Sequence, residues 1–225
     1  MKNIILLHGA IGAADQLIPL ENELTKQNFK VFKFSFSGHG NTPFNNDFSI
    51  KQFAKELELF ISENNLIQPA IFGYSMGGYV ALYLATQMPM LIGNIITLGT
   101  KFNWTEEIAK KEIQLLNPQT IIEKVPKFAN ALQQRHGDCW INLLNKTSQL
   151  MVELGQTNLL NEDNLNQINN KVILGLADND NMVTDEETTS VFKTLKNAQR
   201  FYLKNTKHQI ESVNVTELCD LIIAM

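Results

Sequence analysis

Through its first hundred residues the chain alternates short apolar runs with segments whose apolar residues recur every three or four positions. Residues 4–7, 30–36, 70–74 and 94–98 are too short for helices and read as strands. Between them, Leu17, Leu20 and Leu24 mark the face of one helix. Ile50, Phe53, Leu57, Phe60 and Ile61 mark a second, and Val80, Ala81, Leu84 and Ala85 a third. Ser49 followed by Gln52 predicts a capping box at the start of the second helix. Strand, helix, strand, helix in this order builds right-handed crossovers, which put helices on both faces of a parallel sheet. The fold class is α/β.

The rhythm stops at Thr100 and resumes at Lys171. Residues 171–177 and 200–203 then read as strands, and 185–195 and 210–223 as helices, the first capped by Thr184 with Glu187 three residues on. The intervening stretch of about 70 residues has helical periodicity and no strand pattern, and it is too long to be a connecting loop. The expected organisation is a core of residues 1–100 and 171–225, interrupted by a helical insertion at 101–170.

At 225 residues with 44% hydrophobic and 19% charged content, the chain can bury a core and is globular in composition. A net charge of −4 without a basic cluster argues against a nucleic-acid surface, where cations must neutralise phosphates. No apolar stretch approaches the roughly 20 residues of a membrane span, and the N-terminal apolar run is too short for a signal peptide. Cys139 and Cys219 form no disulfide framework. A soluble cytoplasmic protein acting on a small molecule is expected, and no His/Cys cluster suggests a metal.

Within this frame one turn carries chemistry. Gly73-Tyr74-Ser75-Met76-Gly77 fits G-x-S-x-G and joins an apolar strand to an apolar helix. A serine on so tight a turn takes strained dihedrals and presents its hydroxyl above the sheet edge, while the glycines remove clashes between strand and helix. Ser75 needs a base, and the base needs a group to fix its tautomer. Among four histidines, His208 follows the last strand, at the edge where open α/β sheets bind ligands. His8 and His39 sit in glycine-bounded loops, with His8 read as structural, and His136 falls in the insertion. The acid should follow another strand: "ADNDNMVTD" offers Asp178, Asp180 and Asp185, the last explained as a first-turn helix residue. Spacing alone leaves Asp178 and Asp180 open. The backbone N–H of Met76 and that of Ala10, in the glycine-bounded loop after the first strand, are the expected oxyanion donors.

Together these residues resemble the α/β-hydrolase superfamily: HG-x-x-G at residues 8–12, "SGHG" at residues 37–40, G-x-S-x-G, then an aspartate, then His208. The resemblance covers essentially the whole chain. It implies a serine hydrolase of an ester or thioester, without metal or organic cofactor, and a cap at 101–170. It implies a loop-shaping role for His39. It favours Asp180 as the acid, because Ala177 and Val183 stand three residues to either side, where the family places a glycine and a β-branched residue. The chain starts at the HG-bearing strand, so the resemblance implies loss of the first two family strands and a wholly parallel sheet of six. The same motifs occur in the branch that cleaves C–C bonds or eliminates small acids. For that branch Arg135 is the sole candidate carboxylate clamp, since Arg200 opens a strand. A non-catalytic ligand-binding member is a third reading. Phe102, Trp104, Phe128, Leu132, Trp140, Leu144 and Met151 are expected to divide between core packing and an acyl pocket.

Overall fold

The computed structural model describes residues 2–45 and 47–224. Strands β1 (Lys2–Leu7), β2 (Phe29–Lys33), β3 (Ala70–Tyr74), β4 (Ile95–Leu98), β5 (Val172–Ala177) and β6 (Ala198–Leu203) form one sheet in the order β2-β1-β3-β4-β5-β6. All five pairings are parallel, as the crossover pattern predicts. The order reverses between β1 and β3, which opens a crevice at the carboxyl ends of these strands.

Helices α1 (Ile18–Lys26), α2 (Ile50–Glu63) and α3 (Met76–Gln87) follow the first three strands. Helices α4 (Glu106–Gln114), α5 (Pro118–Lys124), α6 (Pro126–His136), α7 (Trp140–Gln156) and α8 (Glu162–Leu165) lie between β4 and β5. Helices α9 (Asp185–Thr194) and α10 (Val215–Ile223) complete the chain. Alternation within β1 sets the two layers. Ile5 and Leu7 pack with α2 and α3, whereas Ile4 and Leu6 pack with residues of α1 and α10. A strand buried on both faces needs no polar side, which is why β1 reads as a continuous apolar run.

Three expectations need correction. The run at 30–36 is a strand only to Lys33; Phe34, Ser35 and Phe36 leave the sheet, and Phe36 is fully buried against the rings of His8 and of Phe53 in α2. The helix expected at 210–223 is broken. A single 3₁₀ turn spans Ile210–Ser212, and Val213 is extended. Asn214 then starts α10 by accepting the Glu217 N–H at 3.3 Å. A short polar side chain that can satisfy a helix's first donors makes a new start cheaper than a continuous helix. The Ser49 cap forms as expected, with Ser49 Oγ accepting the Gln52 N–H at 3.2 Å, but the Gln52 amide turns to Glu56 instead of closing the box.

The inserted helices carry a small core of their own, including Leu132, Trp140 and Leu144. Phe102 joins the main core. Among the described residues no helix is long and apolar enough to cross a membrane.

Candidate active site

Ser75 stands between β3 and α3 with φ +51° and ψ −117°, a strained pair for a residue with a Cβ. Its backbone is tied down on both sides. The Ser75 N–H donates to Leu98 O at 2.8 Å, and its carbonyl accepts from Thr100 Oγ1 and Gly78 N, each at 3.0 Å. The flanking glycines permit this turn for a steric reason. A Cβ on Gly77 would lie 2.6 Å from Leu7 O, and one on Gly73 would strike the backbone of Gly77 and Gly78.

His208 and Asp180 meet across the carboxyl edge of the sheet. His208 Nδ1 donates to Asp180 Oδ2 at 2.7 Å, with the side chains 7% and 1% exposed. The other carboxylate oxygen, Oδ1, accepts the N–H groups of Met182 (2.8 Å) and Val183 (2.9 Å). Burial pushes the Asp180 carboxyl up, but the bond and charge of His208 and these two N–H donors outweigh it and hold it below the usual value. Asp180 is thus ionised at neutral pH and can only accept, so Nδ1 carries the hydrogen of this bond and Nε2 is the ring's other nitrogen. Asp178, the rival acid, is exposed, and its Oδ1 accepts the Thr206 N–H at 3.1 Å instead.

Three residues that support His208 escape sequence reasoning. Tyr74 Oη donates to the His208 carbonyl at 3.0 Å, fixing the base's main chain from within the serine turn itself. Gly99, with φ +61°, lies under the ring: a Cβ there would come 3.2 Å from His208 Nδ1 and 3.3 Å from Asp180 Oδ2. Lys101 Nζ donates to Met182 O at 2.6 Å and pairs with Glu112 of α4 at 3.2 Å, both side chains being largely buried. A tyrosine inside the serine motif is a local signal that could have been read. The other two depend on contacts between distant segments.

The opposite wall is the loop after β1. Gly12 N donates to Gly9 O at 3.1 Å, closing a tight turn over Ala10 and Ile11. Gly9 packs so near the serine that a Cβ on it would stand 3.1 Å from Ser75 Cβ. Ile11 has φ +52°, which for a β-branched residue costs about 1–3 kcal/mol. His8 is fully buried beneath this loop. Its Nδ1 donates to Gly9 O (2.8 Å), and its Nε2 accepts the Phe36 N–H (3.1 Å). Burial lowers its pKa from 6.5 to about 4, so it is neutral and structural. His39 is likewise buried, with Nδ1 on Ser37 O at 3.1 Å and its ring stacked on Phe48. His136, the last residue of α6, bridges two core loops: Nδ1 accepts the Gly40 N–H and Nε2 donates to Ile11 O, both at 2.9 Å.

Ala10, Ser75, Met76 and His208 line one cavity of about 230 Å³ between these walls and the inserted helices. Trp104, Phe128 and Met151 line it as well, so these three of the seven apolar candidates face a ligand space. Its surface is mostly apolar, with Arg135 at one side held loosely by Asp15 (3.4 Å) and Glu211 (3.5 Å). Arg200 is elsewhere, over the ring of Phe192. Met76 is the first residue of α3, where backbone N–H groups have no intrahelical acceptor. Among the described residues no group of His, Cys, Asp and Glu could hold a metal ion. One apolar space is thus lined by Ser75 with its hydroxyl, by His208 backed by the Asp180 carboxylate, and by Ala10 and Met76.

Comparison with known proteins adds three findings. The family model for the alpha/beta hydrolase fold matches residues 2–136, more than half of the chain. The mouse sn-1-specific diacylglycerol lipase ABHD11 is 25% identical over 96 residues, which is 42% of this chain and 31% of that protein. The chain spans less than half the length of the curated relatives it matches. Among solved structures, a thermophilic esterase from Thermogutta terrifontis superposes with a TM-score of 0.81 at 15% identity, covering 100% of this chain and 89% of the other. The 2-hydroxy-6-oxo-6-phenylhexa-2,4-dienoate hydrolase from Rhodococcus sp. strain RHA1 gives 0.78 at 17% identity, covering 99% and 89%.

Proposed function

We propose, from the premise that this chain belongs to the α/β-hydrolase family, that it is a serine hydrolase of small carboxylic esters or thioesters, with residues 101–170 as its cap. The observation that carries the reading is the Asp180–His208 pair, buried and bonded at 2.7 Å on the cavity that Ser75 also lines. Ser75 Oγ attacks the substrate carbonyl while His208 Nε2 takes its proton. The negative oxygen of the tetrahedral intermediate is held by the N–H groups of Met76 and Ala10, helped by the positive end of α3. Collapse expels the alcohol or thiol, which His208 protonates. Water, deprotonated by the same nitrogen, then releases the acid and restores Ser75. Asp180 keeps the ring in the Nδ1–H tautomer and stabilises it when charged. Trp104, Phe128 and Met151 supply an apolar wall for the acyl or leaving group.

Arg135 favours a second reading. A guanidinium on the cavity suits a substrate carboxylate, as C–C hydrolysis of oxo-acids by the same triad would require. Asp15 and Glu211 compete for it, which is why the ester reading stands first. The test is hydrolysis of short-chain p-nitrophenyl esters and thioesters beside a vinylogous oxo-acid. Ester turnover that falls by about 10⁴-fold or more in Ser75→Ala supports the first reading. Turnover of the oxo-acid alone, lost in Arg135→Gln, supports the second. Ester turnover that survives Ser75→Ala removes both.

A further inference from the structure

We infer that His136 is a positioning residue for the oxyanion loop: from the cap, it holds the carbonyl of Ile11 and thereby fixes the direction of the Ala10 N–H beside Ser75. The inference rests on the serine-hydrolase reading and adds to it a component outside the triad.

Ile11 is the weak point of its turn. A branched side chain resists positive φ, yet the peptide after Ile11 must aim its Gly12 N–H at Gly9 O, the carbonyl that shares a planar peptide with the Ala10 N–H and also accepts from His8. The Nε2–H of His136 captures Ile11 O at 2.9 Å, across 125 residues of sequence. On its other side Nδ1 accepts the Gly40 N–H at 2.9 Å. Gly40 belongs to the loop carrying Ser35, whose Oγ accepts the Ala14 N–H at 3.0 Å. One imidazole therefore ties the cap, the Ile11 turn and the loop behind that turn into a single unit. Both bonds require the neutral ring. Burial keeps its pKa below 6.5, with Arg135 acting in the same direction and Asp15 and the Ile11 carbonyl opposing. The side chain of Ile11 packs partly against the main core and partly against the cap's own cluster, so the turn sits at their seam. A cap that shifted would release Ile11 O and let the strained residue relax; the same peptide would then draw its Gly12 N–H off Gly9 O, and the Gly9–Ala10 peptide would be free to turn the Ala10 N–H away from the developing charge.

Two amide replacements separate positioning from packing. The amide of glutamine reaches the place of Nε2 and can donate to Ile11 O; that of asparagine reaches only the place of Nδ1 and can serve only Gly40. With a short p-nitrophenyl ester, His136→Leu and His136→Asn should lower kcat about 10- to 100-fold with KM changed less than about twofold, as loss of an oxyanion donor does. His136→Gln should recover kcat to within about threefold of the parent. If His136→Leu does not fold, the Asn and Gln variants, compared at matched melting temperature, still decide. Equal kcat in these two, whether high or low, overturns the inference. With Ser75→Ala inactive in the same assay, that result leaves the serine-hydrolase reading standing; an active Ser75→Ala protein overturns both.

Discussion

The two loops that flank Ser75 are held in opposite ways. The loop at 177–183 orients its carboxylate largely with its own backbone: Asp180 N donates to Ala177 O, and Asp180 Oδ1 collects the N–H groups of Met182 and Val183. The loop at 9–12 contains a strained Ile11 and relies on two histidines outside the turn, His8 below it and His136 at the end of α6. A carboxylate can fold its own loop around itself because it accepts several backbone donors at once. The loop at 9–12 has one internal bond, from Gly12 N to Gly9 O, and no side chain of its own that collects N–H groups, so other parts of the molecule supply the rest. The acid loop supplies most of its own hydrogen bonds, with Lys101 adding one from outside at Met182 O, whereas the loop at 9–12 leans on imidazoles from other segments.

The largest expected effect sharpens this contrast on the acid side. Asp180→Asn should lower kcat by about 10³- to 10⁴-fold, because the amide no longer selects the Nδ1–H tautomer. Asp178→Asn should change kcat less than about threefold, since its carboxylate serves backbone N–H groups of its own turn and of residues 205 and 206. Steady-state kinetics on the two variants checks both. Reversed magnitudes would exchange the roles of the two aspartates.

Acid should attack the opposite wall first. His8 has a folded pKa of about 4 against 6.5 in the unfolded chain, so the unfolded state binds the extra proton between these values. The stability from its neutral form is complete above pH 6.5 and is lost as pH falls towards 4, by about 3 kcal/mol. Asp180, held below its ordinary value, stays ionised over most of this range. Urea unfolding at pH 7 and pH 4.5 should show the loss, and His8→Gln, which cannot charge, should reduce it, the remainder coming from His39 and His136, which burial also holds below 6.5. An equal slope in that variant would remove His8 as the cause.

The smallest effect returns to the acid side. Gly99→Ala should lower kcat by about tenfold, because the new methyl presses on His208 and Asp180 in a backbone already at positive φ. A variant with parent kcat would show that the ring has room to shift.

What could be read from the sequence follows the range of the interactions. The six strands were legible because each strand's burial is written in its own apolar run. Ser75 stood out because its turn needs glycines at fixed local offsets, and His208 because it follows the last strand. The ends of β2 and the break before α10 were not legible: Phe34 and Phe36 are apolar for the sake of a loop core, and Asn214 outcompetes helix continuation. The structural work of His136 left no trace in periodicity, since its partners Ile11 and Gly40 lie 125 and 96 residues away. Gly99 was unreadable for the same reason. Its constraint is the ring of a residue more than a hundred positions later.

The most direct measurement is mass spectrometry of the protein quenched during turnover of a slowly hydrolysed ester, with peptide mapping of the adduct. The mechanism predicts one acyl group on the peptide carrying residue 75, formed faster than it is released, and none on the Ser75→Ala protein. Steady ester turnover with no modified peptide, or with the acyl group on another residue, would contradict it.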